Sequence, residues 1–594
     1  MSHSRWNLLP PIPDRQSFHE KDSALDSAGS LQVSPLVTQL LYNRGLTDPS
    51  QLASFLAADE SLSGDPHLLP DMPQAVSRLY RALLSNENIA IYGDFDADGI
   101  TATALLVQGL SLLNCKATPY IPHRLTEGYG LKTVALETLK RQGISLVVTV
   151  DCGITASSQV KAAKKMGLDI IITDHHTPSD EIPLAKAVVN PKLPGSNYPF
   201  SELAGVGVAL KLLQALFSGM GKEKQLDKLT DLVALGTIAD MVPLLGENRY
   251  LVKRGLELLC SSPRLGIREL MTQSGLNTTH LDTDTVSWTI APRLNAAGRL
   301  EHAMGSYRLL MTDSPDEARG LAKWLEQKND ERQKLTATTM NKARDQVSAQ
   351  GDAPILIASD ADYPAGIMGL VAGRLSEELY RPVIVLRTSD QLSGGSCRSI
   401  PEFDIIQALS RCQHLLTHFG GHSRAAGLSL RTSDLPRLHE ELLAIAATQL
   451  AGVDLRPRVD IDAEVMLAGM GGDTFSTIQK LAPFGQGNPA PTFLSRRVNI
   501  VDCRTMGNSG DHLRLKIKQD NTPSTGSIGG VYTERSERAR DRSGQALWDG
   551  VGFNLGCYRS EMSSLMDIVY NLEIDHWNGQ EKLRLNILDF APSR

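Results

Sequence analysis

The chain reads as an α/β protein built in series: a parallel-sheet lobe, a long connecting helix, a second and smaller α/β lobe, and a C-terminal β-barrel. Three observations predict this order. Short apolar runs alternate with helical patterns between residues 89 and 173, the signature of parallel strands joined by crossover helices. A polar stretch from Asp316 to about Gln350 holds one glycine, Gly320, and no proline. After about residue 455 helical periodicity fades and short strand-like runs take over.

The elements follow in order. Residues 1–85 alternate polar loops with short helical patterns at 36–41 and 75–84 and are expected to form an N-terminal cap segment. Residues 86–312 are the first lobe. Its predicted strands are 89–92, 117–121, 145–150 and 169–173, and its predicted helices 100–113, 131–141 and 157–166. The strands are mostly apolar, as suits a sheet buried on both faces. Residues 202–310 look mainly helical. The connecting helix occupies 313–350. Its larger apolar residues (Leu321, Trp324, Leu325, Leu335, Met340, Val347) are sparse, which predicts a half-solvated bridge and not a core helix. Residues 351–455 read as a strand at 354–359, a helix at 365–379, a strand at 383–387, a Gly/Ser loop at 393–399 and a helix from Phe403. Residues 456–594 carry barrel strands at 498–502, 513–518, 567–574 and 583–588, with an Arg- and Glu-rich mobile loop expected at 533–543.

Composition narrows the function. The length of 594 residues suggests about four folding units. Hydrophobic residues make up 41% and charged residues 21%, which excludes a chain that is disordered, collagenous or coiled coil throughout. No apolar run approaches the ~18 residues of a membrane span, and the polar, proline-broken start has no apolar signal region. The net charge of −7 does not advertise nucleic-acid binding, yet a local basic groove would suffice for it. Seven widely spaced cysteines without C-x-x-C fit reduced thiols better than disulfides or a zinc site. A cytoplasmic monomer with no membrane association is expected.

The chemistry concentrates at predicted strand ends. Residues 92–99 read Tyr-Gly-Asp-Phe-Asp-Ala-Asp-Gly, so Asp94, Asp96 and Asp98 leave a strand and enter a helix. Crowded carboxylates repel one another unless a cation sits between them. A calcium loop would need Glu at its twelfth position, where Leu105 stands. Asp151 ends the next strand but one, and Asp174, His175 and His176 end the strand after it. Asp240 is an acid in the apolar segment 234–240. Open parallel sheets bind ligands beyond the carboxyl ends of their strands, so these motifs should converge. Oxygen donors with imidazole and no thiolate favour Mn²⁺ or Mg²⁺. Two such ions would suit an in-line phosphoryl displacement.

The order D-x-D-x-D-G, V-D-C-G, D-H-H and I-A-D resembles the DHH phosphoesterase family. Residues 93–103, 203–208 (LAGVGV), 292–299 (PRLNAAGR) and 484–489 (FGQGNP) resemble its bacterial single-strand-specific 5′ exonucleases. The resemblance implies metal ligation by Asp96, Asp98, Asp151, His175 and Asp240, with Asp94 joining them and His176 and Asp174 assisting catalysis. Tyr92 stands where some members carry His. The likeness extends to the family's substrate-binding domain in Ser393–Ser399 and in the FGGH and AAG segments ending at His422 and Gly427. It implies that Arg124, Arg293 or Arg299, Ser396 and Arg398 anchor a 5′-phosphate, with His422 nearby and Tyr129 able to stack on a base. The barrel would be an OB-fold guiding a single strand, with basic residues such as Arg496, Arg497, Lys516 and Lys518. A single-stranded-DNA-binding protein and a helicase are the implied partners.

The expected function is thus a two-metal 5′→3′ exonuclease on single-stranded DNA. A phosphodiesterase for short oligonucleotides or cyclic dinucleotides is the alternative within the family, and a non-catalytic replication scaffold the alternative outside it. The barrel opposes the first alternative and the intact acids and histidines oppose the second.

Overall fold

The computed structural model describes residues 3–13, 35–276, 281–471, 473–507, 509–519, 547–575 and 582–593. The chain forms two compact units: Leu62–Leu455 with Gly485–Gly487, and Met1–Ser61 with Arg456–Phe484 and Asn488–Arg594. The chain opens with strand β1 (Arg5–Leu8) and helices α1 (Pro35–Asn43) and α2 (Pro49–Ala57). Asp48 caps α2 by accepting from Ser50 N.

In the larger unit, helix α3 (Met72–Leu84) precedes a five-stranded sheet. Strands β2 (Ile89–Gly93), β3 (Ala117–Tyr120), β4 (Leu146–Val150), β5 (Asp169–Thr173) and β6 (Ala187–Val189) run parallel in the order β3-β2-β4-β5-β6. Successive side chains point to opposite faces. Ile89 and Ile91 therefore join one core, and Ala90 and Tyr92 join the other. Helices α4 (Ala97–Ser111), α5 (Thr133–Arg141) and α6 (Ser157–Lys165) make the crossovers. Helices α7 (Gly205–Ser218) and α8 (Thr230–Ala239) pack on α4. Arg78 of α3 reaches Glu87 at 2.7 Å and Asp169 at 2.8 Å, tying the helix to the starts of β2 and β5.

Helix α9 (Ala291–Leu300) follows a π-helical turn at Val286–Ile290. The connecting helix α10 spans Pro315–Ser348, and Ser314 caps it by accepting from Glu317 N. It buries a stripe at 318, 322, 325, 329, 332, 336, 339, 340, 343 and 347. The stripe is more continuous than the apolar residues predict, because its middle is Asn329, Arg332, Thr336 and Thr339.

The second lobe holds β7 (Leu356–Asp360), α11 (Met368–Leu379), β8 (Val383–Arg387), β9 (Leu392–Arg398), β10 (Leu416–His422) and β11 (Ala425–Arg431), in sheet order β10-β11-β9-β8-β7. Here the structure corrects the sequence reading. The Gly/Ser segment, expected as a loop, is the central strand β9, and FGGH lies in edge strand β10. Glycine is needed at 395 because a Cβ there would lie 2.0 Å from Val385 O of the neighbouring strand.

In the smaller unit β12 (Arg458–Ile461) pairs in parallel with β1. Strands β13 (Ala463–Glu464), β14 (Phe493–Met506), β15 (His512–Gln519), β16 (Trp548–Gly552), β17 (Leu565–Asp575) and β18 (Lys582–Pro592) form the order β13-β14-β15-β16-β18-β17, and a β14–β17 pairing closes the barrel. The sequence reading misses β16, whose two glycines interrupt the apolar alternation. The expected loop at 533–543 lies outside the described residues. Among those described, no helix is long and apolar enough to cross a membrane.

Candidate active site

Strand register assembles the site. Gly93, Val150 and Thr173 stand side by side on β2, β4 and β5, so the residues that follow, Asp94, Asp151 and Asp174, emerge at one edge of the sheet. Asp96 is the N-cap of α4 and accepts from Asp98 N and Gly99 N, both at 3.1 Å. Asp98, in the first turn of α4, takes Gly205 N at 2.7 Å and Val206 N at 2.9 Å from the start of α7, where helix dipole and free N–H groups favour an anion. Asp240 ends α8. Its Oδ2 lies 3.6 Å from His175 Nε2, which is 3.1 Å from Asp151 Oδ1.

Three overlapping groups have potential ligand atoms within 4.8 Å of one another: Asp151, His175 and His176; Asp98, His175 and Asp240; Asp94, Asp96 and Asp151. Asp174 plays a different part. Its Oδ1 accepts from His175 N, His176 N and His176 Nδ1, and its Oδ2 from Ile154 N. It is an orienting group with its oxygens already engaged.

Electrostatics separate these acids. Burial, then the charge of Asp96, holds Asp94 well above the usual carboxylate range. Burial, then Asp98, does the same to Asp151 and Asp240. Asp98 is pushed up to about 7 by burial and Asp96, against its two backbone bonds. Asp174 goes the other way: burial would raise it, but its bond from His176 prevails. His176 rises to about 9 because that bond outweighs burial, and His175 falls to about 3 through burial and then His176. Buried acids of one sign, packed together, call for a positive partner.

The donor set fits a divalent cation. Among the described residues, Asp94 Oδ1, Asp151 Oδ1, Asp240 Oδ2 and both ring nitrogens of His175 are buried without a hydrogen-bond partner. The nearby thiol turns away, with Cys152 Sγ 3.9 Å from Tyr92 O. Oxygen and imidazole donors of this kind suit Mn²⁺ or Mg²⁺. Tyr92 offers nothing to the site. Its side chain is buried in the core on the far face, stacks on Tyr120, and gives its hydroxyl to Gly130 O.

The anion-binding candidates fall into three kinds. Arg124 lies over the Phe95 ring at 4.6 Å, beside the acids. Arg299 donates to Gly366 O at 3.3 Å. Arg398 and Ser396 share the face of β9 turned to α11, where a Cβ on Gly369 would lie 3.2 Å from the Arg398 guanidinium and 3.5 Å from Ser396 Oγ. These three arginines make no ion pair with a carboxylate among the described residues. Arg293 is spent elsewhere, forked onto Glu326 at 2.5 and 2.9 Å and bonded to Thr289 O. His422 is exposed on edge strand β10 and shares a cross-strand row with Ala425 and Arg398. Tyr129 sets its hydroxyl 3.5 Å from His176 Nδ1.

Two supporting parts escape the sequence reading. Gly205 and Val206 of LAGVGV hold Asp98 by their N–H groups, and Asn295 of PRLNAAGR accepts from Ala97 N at 2.9 Å. A glycine at a helix start was the available signal for the first. Nothing local marks the second.

Comparison with known proteins agrees with this architecture. The DHH family N-terminal domain matches residues 88–237, the DHHA1 domain 352–448 and the RecJ OB domain 461–589. The single-stranded-DNA-specific exonuclease RecJ of Bacillus subtilis is 37% identical over 597 residues, which span 100% of this chain and 71% of that one. The protein of the same name from Salmonella typhimurium is 32% identical, spanning 94% and 96% of the two chains. The chain belongs to the RecJ family. A solved family member, RecJ of Thermus thermophilus in complex with Mn²⁺, superposes with a TM-score of 0.81 at 29% identity, covering 99% of this chain and 80% of that one. The Mg²⁺ complex of the same protein gives a TM-score of 0.75 at 28% identity, covering 99% and 79%.

Proposed function

We propose that the chain is a metal-dependent 5′→3′ exonuclease that degrades single-stranded DNA to mononucleotides in repair and recombination. One observation carries this reading: among the described residues, buried carboxylate oxygens of Asp94, Asp151 and Asp240 without a hydrogen-bond partner lie in the same compact unit as Arg124, Arg299 and Arg398, which lack acidic partners. The first group suits cations and the second suits the phosphates on which they act. The relatives, exonucleases specific for single-stranded DNA by name, support the choice of substrate.

In this reading Asp94, Asp96, Asp98, Asp151, His175 and Asp240 hold two divalent cations, Mn²⁺ or Mg²⁺. Bound there, the ions supply a water that is nucleophilic at neutral pH and neutralise charge on the reacting phosphate. Asp174 fixes the His176 ring through Nδ1, leaving Nε2 to hydrogen-bond a phosphate oxygen. Arg124, Arg299, Ser396 and Arg398 receive the 5′-phosphate, with His422 on the same sheet. Because the end is held, the cut falls one nucleotide inward and sets the polarity. Tyr129, beside His176, is placed to stack on a base.

We assign catalysis to residues 86–312, the 5′-end anchor to 351–455, their connection to 313–350 and grip on the strand to the OB-fold of 456–594, with 1–85 as the N-terminal segment. We place the chain in the cytoplasm as a monomer, working on strands opened by a helicase and covered by a single-stranded-DNA-binding protein. The test uses a long single strand labelled at either end, with Mn²⁺ or Mg²⁺. Mononucleotides should leave the 5′ label first. Cleavage of dinucleotides alone would overturn the reading.

A further inference from the structure

Three arginines near the connecting helix and the first lobe's helices are neutralised by acids: Arg293 by Glu326, Arg264 by Asp231 and Arg344 by Glu378. Arg332 and Arg374 are not, among the described residues, and the proposed mechanism uses neither. Arg332, on α10, is only 9% exposed. It donates from one terminal nitrogen to Asn329 Oδ1 at 2.8 Å, and its Nε is buried with no partner among the described residues. A guanidinium stays protonated in a protein, and burying one against a neutral amide alone is costly. An anion would remove that cost.

Packing shows where the anion would lie. A Cβ on Gly366 would meet Arg299 O at 2.0 Å. From there the chain enters α11, passes Arg398 at Gly369 and Gly373, and reaches Arg374 at the next residue. Helix α11 packs against α10, which carries Arg332. Charges act in the same sequence: Asp96, Arg124, Arg332 and Arg398 on Arg299, then Arg374 and Arg293 on Arg332. Arg293 is already neutralised by Glu326. Positive charge thus continues past the 5′-phosphate anchor into the α10–α11 seam, where among the described residues no carboxylate pairs with Arg332 or Arg374.

We propose that Arg332 and Arg374 form a second anion subsite beside the 5′-phosphate anchor, one that takes an outer phosphate of a strand ending in a 5′-triphosphate. The inference rests on the proposed 5′-phosphate anchor, and the test separates the two. The full chain with Mn²⁺ is given oligothymidylates bearing a 5′-hydroxyl, a 5′-monophosphate or a 5′-triphosphate, and KM and kcat are measured for each. The triphosphate should lower KM roughly tenfold or more below the monophosphate, the gain expected of a charge-assisted hydrogen bond. Arg332→Gln and Arg374→Gln should erase that step while keeping the step from hydroxyl to monophosphate. Arg398→Gln should erase the latter. Arg374 is exposed, so its variant carries the test if Arg332→Gln does not fold. Equal KM for triphosphate and monophosphate, or a step that survives both substitutions, would overturn the subsite and leave the anchor standing. Equal KM for monophosphate and hydroxyl would remove the anchor and the subsite with it.

Discussion

A carboxylate taken out of water needs donors or a cation, and Asp151 and Asp174 meet that need in opposite ways. Both follow the last residue of a parallel strand. Asp174 is bonded by three backbone N–H groups and one imidazole, whereas Asp151 Oδ1 has no hydrogen-bond partner among the described residues. Asp151→Ala should abolish cleavage and leave strand binding largely intact, as read by nucleotide release beside a gel-shift titration. Equal losses of both would point to a structural role. Asp174→Asn preserves shape but removes the charge facing His176. It should cost roughly 10–100-fold in activity or metal affinity, the usual toll of losing an orienting partner, with the melting temperature showing that the fold survives. Full activity in that variant would free His176 from Asp174. Sequence alone makes the two acids look alike, because hydrogen-bond satisfaction depends on what the neighbouring strand and loop present.

At the scale of elements, β9 shows how glycine can mislead. SGGS suggests a loop, yet the segment is a strand whose glycine at 395 lies against the backbone of β8. Gly395→Ala should destabilise the second lobe by about 1–3 kcal/mol through overpacking, measured by denaturant unfolding; an unchanged midpoint would show that the sheet can give. Helix α9 offers a second contrast. Arg293 and Arg299 lie on the same helix, but only Arg293 is tied to α10 through Glu326. Arg293→Met should lower stability by about 1–3 kcal/mol and leave the preference for a 5′-phosphate intact, while Arg398→Ala should weaken that preference. Kinetics on phosphorylated and unphosphorylated strands decide between them, and the reverse pattern would move the anchor to Arg293.

At the scale of the molecule, each unit holds its own charge pairs, and the barrel should respond to acid through Asp549 of β16. Burial opposes ionisation there, but ion pairs to Lys516 at 2.5 Å and Lys582 at 2.6 Å prevail and hold the carboxyl below its usual range. The folded pKa is below the unfolded one. Its stabilisation is therefore complete above about pH 4 and is lost as pH falls through the folded value. Melting curves of the full chain should show the barrel transition weakening below about pH 4, and Asp549→Asn should flatten that dependence. An unaltered acid profile in the variant would assign it to other groups.

The sequence by itself determined the alternation of strand and helix, the long polar helix, the strand-rich end, and the strand-terminal positions of Asp94, Asp151 and Asp174, because periodicity and local chemistry are written residue by residue. Tertiary structure alone decided the rest. Strand register brought those acids to one edge, the start of α7 took hold of Asp98, and burial of Tyr92 in the opposite core kept it from the site. It also joined β1 to β12 across most of the chain's length and left Arg332 buried beside a neutral amide. Such contacts depend on which distant segments meet, and on which polar atoms are left without water or partner when they do.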